Sequence, residues 1–256
     1  MRRFAGITAF GMTTLFATAV AAQTAPAAAP AQPPPPMTNL QIYPKETPRP
    51  EIVATMQGFV QALGVQSAGG CGYCHVGTAP AFDFAADTKR TKNVARKMIL
   101  MAREVNGKLA DATGKPAADV TRVRCATCHR GVAIPKLLPD ILTEAVNKGG
   151  AAAAIQQYRD LRKQHYGAQA YDFSEGALVA VAQQLNNTNK PDDALALLQV
   201  NAEFYPNSAP TQVTMAQVYV KKNDKDNAIK SLEKAVQLDP NNQAAKRQLE
   251  QLKSGR

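Results

Sequence analysis

The pentapeptides Cys71-Gly72-Tyr73-Cys74-His75 and Cys125-Ala126-Thr127-Cys128-His129 constrain this chain more than any other feature. Each has the form C-x-x-C-H, the attachment signature of a covalently bound c-type haem. Two thiols add to the vinyl groups of one rigid macrocycle, and the adjacent histidine lies beneath the iron as its proximal ligand. All four cysteines and two of the three histidines fall in these motifs, so no thiol is left over for a disulfide. Two plainer readings compete. A thioredoxin-like dithiol has no use for a histidine after the second cysteine, twice over. A four-cysteine zinc site would need to bring Cys74 and Cys125 together across the 50 residues 75–124, longer than the usual zinc-ribbon spacing. The motifs therefore imply two covalently bound haem c groups. Cys71, Cys74, Cys125 and Cys128 are the attachment residues, and His75 and His129 are the proximal ligands.

The excess of base sits with these motifs. Residues 37–140 hold 14 Lys/Arg against 8 Asp/Glu, whereas 141–256 hold 14 against 12. A net +6 around the haems suits transient docking onto an acidic redox partner or an anionic membrane surface. No nucleic-acid motif accompanies it, and no nucleic-acid partner is expected.

Residues 1–22 read as a cleaved secretory signal, with Arg2 and Arg3 before an apolar stretch from Ile7 to Val20 and small residues at Ala19–Ala22. The stretch is short and weakly apolar for a span of about 20 residues. A periplasmic product is expected, possible peripheral membrane association included, because bacterial c-type haem is attached outside the cytoplasmic membrane. No cysteine follows the leader, so no lipid anchor is expected there. Residues 23–36, almost all Ala, Pro and Gln, read as a linker.

The spacing of Ile52, Met56, Phe59, Val60 and Leu63 predicts a helix from Pro48 or Pro50 to Leu63, ended by Gly64. A second helix, capped by Asp87 or Thr88, is expected to carry Val94, Met98, Met101 and Val105 on one stripe and to stop at Asn106-Gly107. An irregular segment 107–124 then delivers the second motif, and Pro135 and Pro139 close a dihaem domain over 37–140. The order is helix, motif, helix, motif, and each helix carries a methionine on its apolar face. A methionine at helical spacing is ordinarily core filler, but each iron needs a sixth ligand for pure electron carriage. The one spare histidine, His165, lies in another segment and reads as a surface residue. Met56 and Met98 are therefore the candidate distal ligands, with Met101 the alternative to Met98.

The stretch Thr91-Lys92-Asn93-Val94-Ala95-Arg96-Lys97-Met98-Ile99-Leu100-Met101 resembles the ligand helix of the photosynthetic reaction centre cytochrome c subunit family, which carries Lys-x-x-Ala-Arg-x-Met-x-x-Met. Met56-Gln57-Gly58-Phe59, Ala62-Leu63-Gly64-Val65 and Cys128-His129-Arg130-Gly131 agree with it. The likeness covers roughly residues 40–140. It implies that Met98, the first methionine of the pattern, binds iron, and that the chain carries electrons, with a photosynthetic reaction centre or a respiratory complex as a membrane-bound partner. Members serving reaction centres typically hold four haems, and this chain has two motifs. The further histidine that the family places after the ligand helix is missing from 107–124.

From about residue 150 a period of 34 sets in: Ala194 and Ala228, Leu198 and Leu232, Pro206 and Pro240. That period is the tetratricopeptide signature, so 150–256 is expected to be a helical-hairpin array that takes a protein or peptide. The fold class is all-α. Helices near 151–164 and 173–186 would complete the stack, and 242–253 would cap it. The function expected is an exported dihaem electron carrier, not an enzyme. Two rivals stand beside it: a dihaem peroxidase-like enzyme with one open haem site, and a redox-sensing scaffold or assembly protein.

Overall fold

The computed structural model describes residues 36–254, and the leader 1–22 and nearly all of the linker 23–36 lie outside them. The described chain is mostly helical. Among the described residues no helix is long and apolar enough to cross a membrane.

Helix α1 spans Arg49–Leu63, with Pro48 and Pro50 at its start and Glu51 in its first turn. It ends as expected at Gly64, whose φ of 64° is left-handed, and the Val65 N–H reaches back to the Val60 carbonyl at 3.2 Å. The same glycine is a point of close approach. A Cβ built there would lie 1.9 Å from the Gly131 carbonyl oxygen, and the Gly131 N–H donates to the Ala62 carbonyl at 2.9 Å. The helix before the first motif is thereby joined to the turn after the second.

After a 3-10 turn at Gly70–Tyr73 come two short antiparallel strands, β1 (Val76–Thr78) and β2 (Ala81–Asp83), paired Val76 to Asp83. The residue pattern predicts no regular element between the first motif and the second helix, where this hairpin falls. Its tightness rests on Gly77, φ 99°, where a Cβ would meet the Ala81 carbonyl oxygen at 2.4 Å.

Helix α2 corrects two expectations. It runs Arg90–Thr113, through Asn106-Gly107, and stops at Gly114 in the left-handed region. The Asn106 side chain serves a distant partner instead of a cap. Its Nδ2 donates to the Val123 carbonyl at 2.8 Å and its Oδ1 accepts the Val123 N–H at 2.7 Å. Gly107 meets nothing within 4 Å and sits in the helix at the usual cost of about 1 kcal/mol. At the other end the N-cap is Lys89, with no capping side chain. Asp87 is instead ion-paired with Lys92 Nζ at 2.9 Å and Arg96 Nη1 at 2.8 Å. Helix α3 is the second motif itself, Cys125–His129.

Helix α4, Leu138–His165, is two helices in sequence, broken at Gly149 and Gly150, the latter with φ 70°. The second half is capped from outside: the Ala151 N–H donates to Asp193 Oδ1 at 2.8 Å. Pro139 stands in the first turn of α4, and Leu138 and Leu142 are buried in the core shared with the later helices. Then follow α5 (Glu175–Asn187), α6 (Pro191–Phe204), α7 (Ala209–Lys221), α8 (Lys225–Leu238) and α9 (Gln243–Ser254). The starts of α5, α7 and α9 are spaced by 34 residues, as are those of α6 and α8. The positions that set the period, Ala194, Leu198, Ala228 and Leu232, are fully buried or nearly so, as stacked hairpins require.

Gly64→Ala is expected to destabilise the protein by more than about 2 kcal/mol, since the left-handed conformation alone costs about 1–2 kcal/mol for a residue with a Cβ and backbone must shift to admit it. A lowered melting temperature checks this; an unchanged one removes the Gly64–Gly131 contact as a constraint. The Asp87 pair gives a pH dependence. Hydrogen bonds from Lys92, Asn39 and Arg96, with the Lys92 charge, hold the Asp87 carboxyl far below the usual carboxylate range. A carboxyl depressed in the folded state stabilises above its unfolded value, near 3.9, and loses that contribution as pH falls toward the folded one. Asp87→Asn is therefore expected to be less stable than wild type at pH 7, with the two denaturation midpoints converging below about pH 4.

Candidate haem-binding site

Both motifs are shaped by backbone turns. Gly69 and Gly70, with φ of 104° and 53°, admit the tight 3-10 turn, and the His75 N–H donates to the Cys71 carbonyl at 2.9 Å. In the second motif the Thr127 hydroxyl accepts the Arg124 N–H at 2.9 Å, closing the entry of α3. Arg130 and Gly131, both at positive φ, turn the chain out again.

Between α1, α2 and α3 lies a mostly apolar cleft of about 190 Å³, open to solvent. Met98, Cys125 and His129 line it together, and Cys74 of the first motif stands in its wall. Phe59 and Leu63 of α1, Val94 and Ile99 of α2, and Ile134 supply its apolar surface. Arg90 and Thr91 bring polar groups to it. Sequence reasoning did not assign either to the site, although their places about two turns before Met98 on the same helix could have suggested them.

The residues fit a haem. His129 Nδ1 lies 3.0 Å from the Val132 carbonyl oxygen, so this nitrogen carries the proton and Nε2 is left as the donor atom. Met98 brings a thioether into the same cleft. Large apolar side chains stand exposed on this side of the protein, Met98 at 42% and Ile134 at 70% among them, where a flat apolar group would cover them.

The remaining sequence-derived residues are placed differently. Cys71 and Cys128 are exposed. His75 is half-buried, its ring edge-to-face with Phe84 at 4.9 Å, and its Nδ1 is buried without an acceptor. Met56 is half-buried on α1 and does not line the cleft, although Phe59 and Leu63 on the same helix do. Met101 is 51% exposed and also off the cleft wall. His165 packs against Tyr171 in the repeats, ring centroids 5.2 Å apart.

The electrostatics favour neutral ligands over an activated dithiol. Burial pushes the Cys74 and Cys125 thiols up, whereas a redox dithiol needs a depressed thiol. Burial, reinforced by the charges of Lys92, Arg96 and Lys89, pushes His75 down, toward the neutral form that binds metal. Among the described residues no three His, Cys, Asp or Glu side chains converge as a metal-ion cluster, so the four cysteines are not gathered into one zinc site.

Comparison with known families agrees with this geometry. Residues 16–204, about three quarters of the chain, match the model of the photosynthetic reaction centre cytochrome C subunit. The match extends well past residue 140, where the sequence likeness ended, and through α6. Residues 209–242, which contain α7 and α8, match a tetratricopeptide repeat. The chain belongs to the photosynthetic reaction centre cytochrome c subunit family, as a c-type haem-binding electron-transfer cytochrome continued by tetratricopeptide-like helical repeats.

Proposed function

We propose that this protein is an exported dihaem c-type cytochrome that passes single electrons between redox proteins in the periplasm. The observation that carries the reading is the convergence of Met98, Cys125 and His129 on one apolar cleft. Cys125 and Cys128 would hold one haem, with His129 proximal and Met98 distal. Cys71 and Cys74 would hold the other, with His75 proximal and Met56 distal. A haem so held supplies a reversible one-electron iron couple.

The chain's own residues do the rest. Val132 fixes the tautomer and plane of His129 through its carbonyl. The Met98 thioether, a soft neutral ligand, favours the reduced iron more than a second imidazole would. Phe59, Leu63, Val94 and Ile134 give the cleft apolar walls against which a bound haem would pack, so little solvent would have to reorganise when one electron arrives from a reduced donor and leaves to an oxidised acceptor. No proton is moved.

The basic excess of residues 37–140 suits an acidic partner protein, and the tetratricopeptide-like repeats suit a docking peptide or protein. The residue 1–22 leader is the basis for export. A membrane-bound reaction centre or respiratory complex fits as electron acceptor or donor. Two motifs in place of the four typical of reaction-centre subunits favour a more general carrier. A second reading rests on Met56, half-buried on α1: if it is core filler, the first haem lacks a sixth protein ligand and is open to peroxide, as in a dihaem peroxidase.

Mass spectrometry of the mature protein is expected to show the polypeptide plus two haems, and bare polypeptide mass overturns the proposal. Two low-spin ferric irons with a methionine–iron charge-transfer band support the carrier. A high-spin signal that shifts on adding cyanide or peroxide supports the enzyme. Met98→Ala is expected to lower one potential of the pair in a redox titration and to abolish the charge-transfer band of that haem; an unchanged titration removes Met98 as ligand.

A further inference from the structure

The two proposed proximal histidines are held in different ways. His129 is oriented by a hydrogen bond from Nδ1 to the Val132 carbonyl, 3.0 Å away. His75 has no such acceptor: its Nδ1 is buried and unpartnered. The contact that orients its ring is the edge of Phe84, 4.9 Å between centroids at an interplanar angle of 70°. Phe84 is itself 55% exposed, so burial does little to keep it in place.

Its backbone is held instead. Lys92 is 8% exposed, an unusual position for an ammonium, which is costly to bury unless fully paired. Its Nζ donates to three successive carbonyls, Phe84 at 2.9 Å, Ala85 at 3.2 Å and Ala86 at 2.8 Å, and pairs with Asp87 at 2.9 Å. Arg96 grips Asp87 from one turn further along α2 at 2.8 Å, and Gln41 Nε2 donates to its other oxygen, also at 2.8 Å. Asn39 Nδ2 donates to the Ala85 carbonyl. The start of α2 also holds the first motif directly. Thr91 Oγ1 donates to the Tyr73 carbonyl at 2.6 Å, and Lys89 Nζ to the Gly72 carbonyl. A leucine at position 92 could fill the same space, but it could not gather three carbonyls into one turn.

We infer that Lys92 and Phe84 are positioning residues of the first attachment site: Lys92 folds the 84–87 loop so that the Phe84 ring sets the plane of His75, the role that the Val132 carbonyl plays for His129. Lys92 also places a cation beside this site, and a nearby positive charge favours the reduced over the oxidised iron. The inference rests on the dihaem reading above and concerns the first site alone.

The test uses the mature full-length protein, with electron paramagnetic resonance of the ferric form and a potentiometric titration. The signal and potential of the first site are identified in a Cys125→Ser/Cys128→Ser chain, which retains one attachment motif. Lys92→Met is expected to lower the first-site potential and broaden its low-spin signal, with the second site unchanged. Phe84→Leu leaves every Lys92 hydrogen bond in place, since all go to backbone or to Asp87. It is expected to broaden the same signal with a smaller change in potential, and Phe84→Tyr is expected to restore it. Should Lys92→Met fail to mature, the Phe84 pair carries the test. Wild-type first-site signals in both Lys92→Met and Phe84→Leu, with two haems attached, overturn the inference and leave the dihaem reading intact. Equal shifts at both sites overturn it too. A wild-type mass with no haem on Cys71 and Cys74 defeats the dihaem reading itself, and this inference with it.

Discussion

The cytochrome part of this chain makes very little core from its own side chains. Among the described residues before Leu138, only Ile52, Ala62 and Val65 are apolar and buried. A unit of about a hundred residues cannot offset its conformational entropy with three such side chains. Two things stand in for packing. One is contact between backbones: α1 meets the turn after α3 at Gly64 and Gly131, so closely that neither side offers room for a Cβ at Gly64. The other is side chains bonded to distant carbonyls. Lys92 holds 84–86, Thr91 holds Tyr73, Asn106 holds Val123 and Arg103 holds Ile42. These bonds fix where the motifs lie without filling space between them, and space is what a large flat apolar cofactor requires.

The repeats are built on the opposite principle. From Leu138 onward apolar faces are spent on each other, with Leu142, Tyr158, Leu178, Leu197 and Leu198 wholly buried. Arg162, half-buried at the edge of this core, is accommodated by ring faces. Its guanidinium lies 4.1 Å from the Tyr166 centroid and 4.4 Å from that of Phe204, and it donates to the Phe173 carbonyl at 3.2 Å. The change of principle falls at the start of α4, whose first half already buries Leu138, Leu142, Ala145 and Val146 in the core of the repeats. The Gly149-Gly150 break lets the second half of α4 take its own direction, and Asp193 of α6 caps it there.

How much of this was legible follows from the range of the forces involved. The 34-residue period gave the repeat helices almost to the residue, because stacked hairpins impose the same burial at each return: Ala194 and Ala228 are both at 0% exposure. The end of α1 at Gly64 was legible for the same local reason, a left-handed stop. Asn106-Gly107 misled because the pair has a strong local meaning as a helix stop, while the Asn106 side chain answers to Val123, 17 residues away. Asp87 misled likewise: an acid before a helix reads as a cap, but Lys92 and Arg96 compete for it and prevail. At the site, motif spacing singled out Cys74, Cys125 and His129, helical spacing and the family resemblance singled out Met98, and all four line one cleft. Phe84, Val132 and the burial of Lys92 carry no such signature. Their partners are a ring, a carbonyl and a loop, and none of these is encoded by residue type at a fixed interval.

The extent of the family match then poses a physical question. It runs through α4, α5 and α6 to residue 204, yet that stretch has no cysteine at all. Absence of the thiols rules out covalent attachment there, but the packing says more. A helix that holds a haem must leave an apolar stripe uncovered for it, as α2 does with Val94, Met98 and Met101, each at least 40% exposed. On α4 to α6 the corresponding faces are closed, with Leu142, Leu178 and Leu198 at 0%. Adding thiols to this half would therefore not make a site, because neighbouring helices already cover the surface such a cofactor would occupy. Within the matched length, side chains fill the space between helices after Leu138, while an apolar cleft stays open before it. The tetratricopeptide match that begins at 209 continues the side-chain-filled arrangement along the same helical stack.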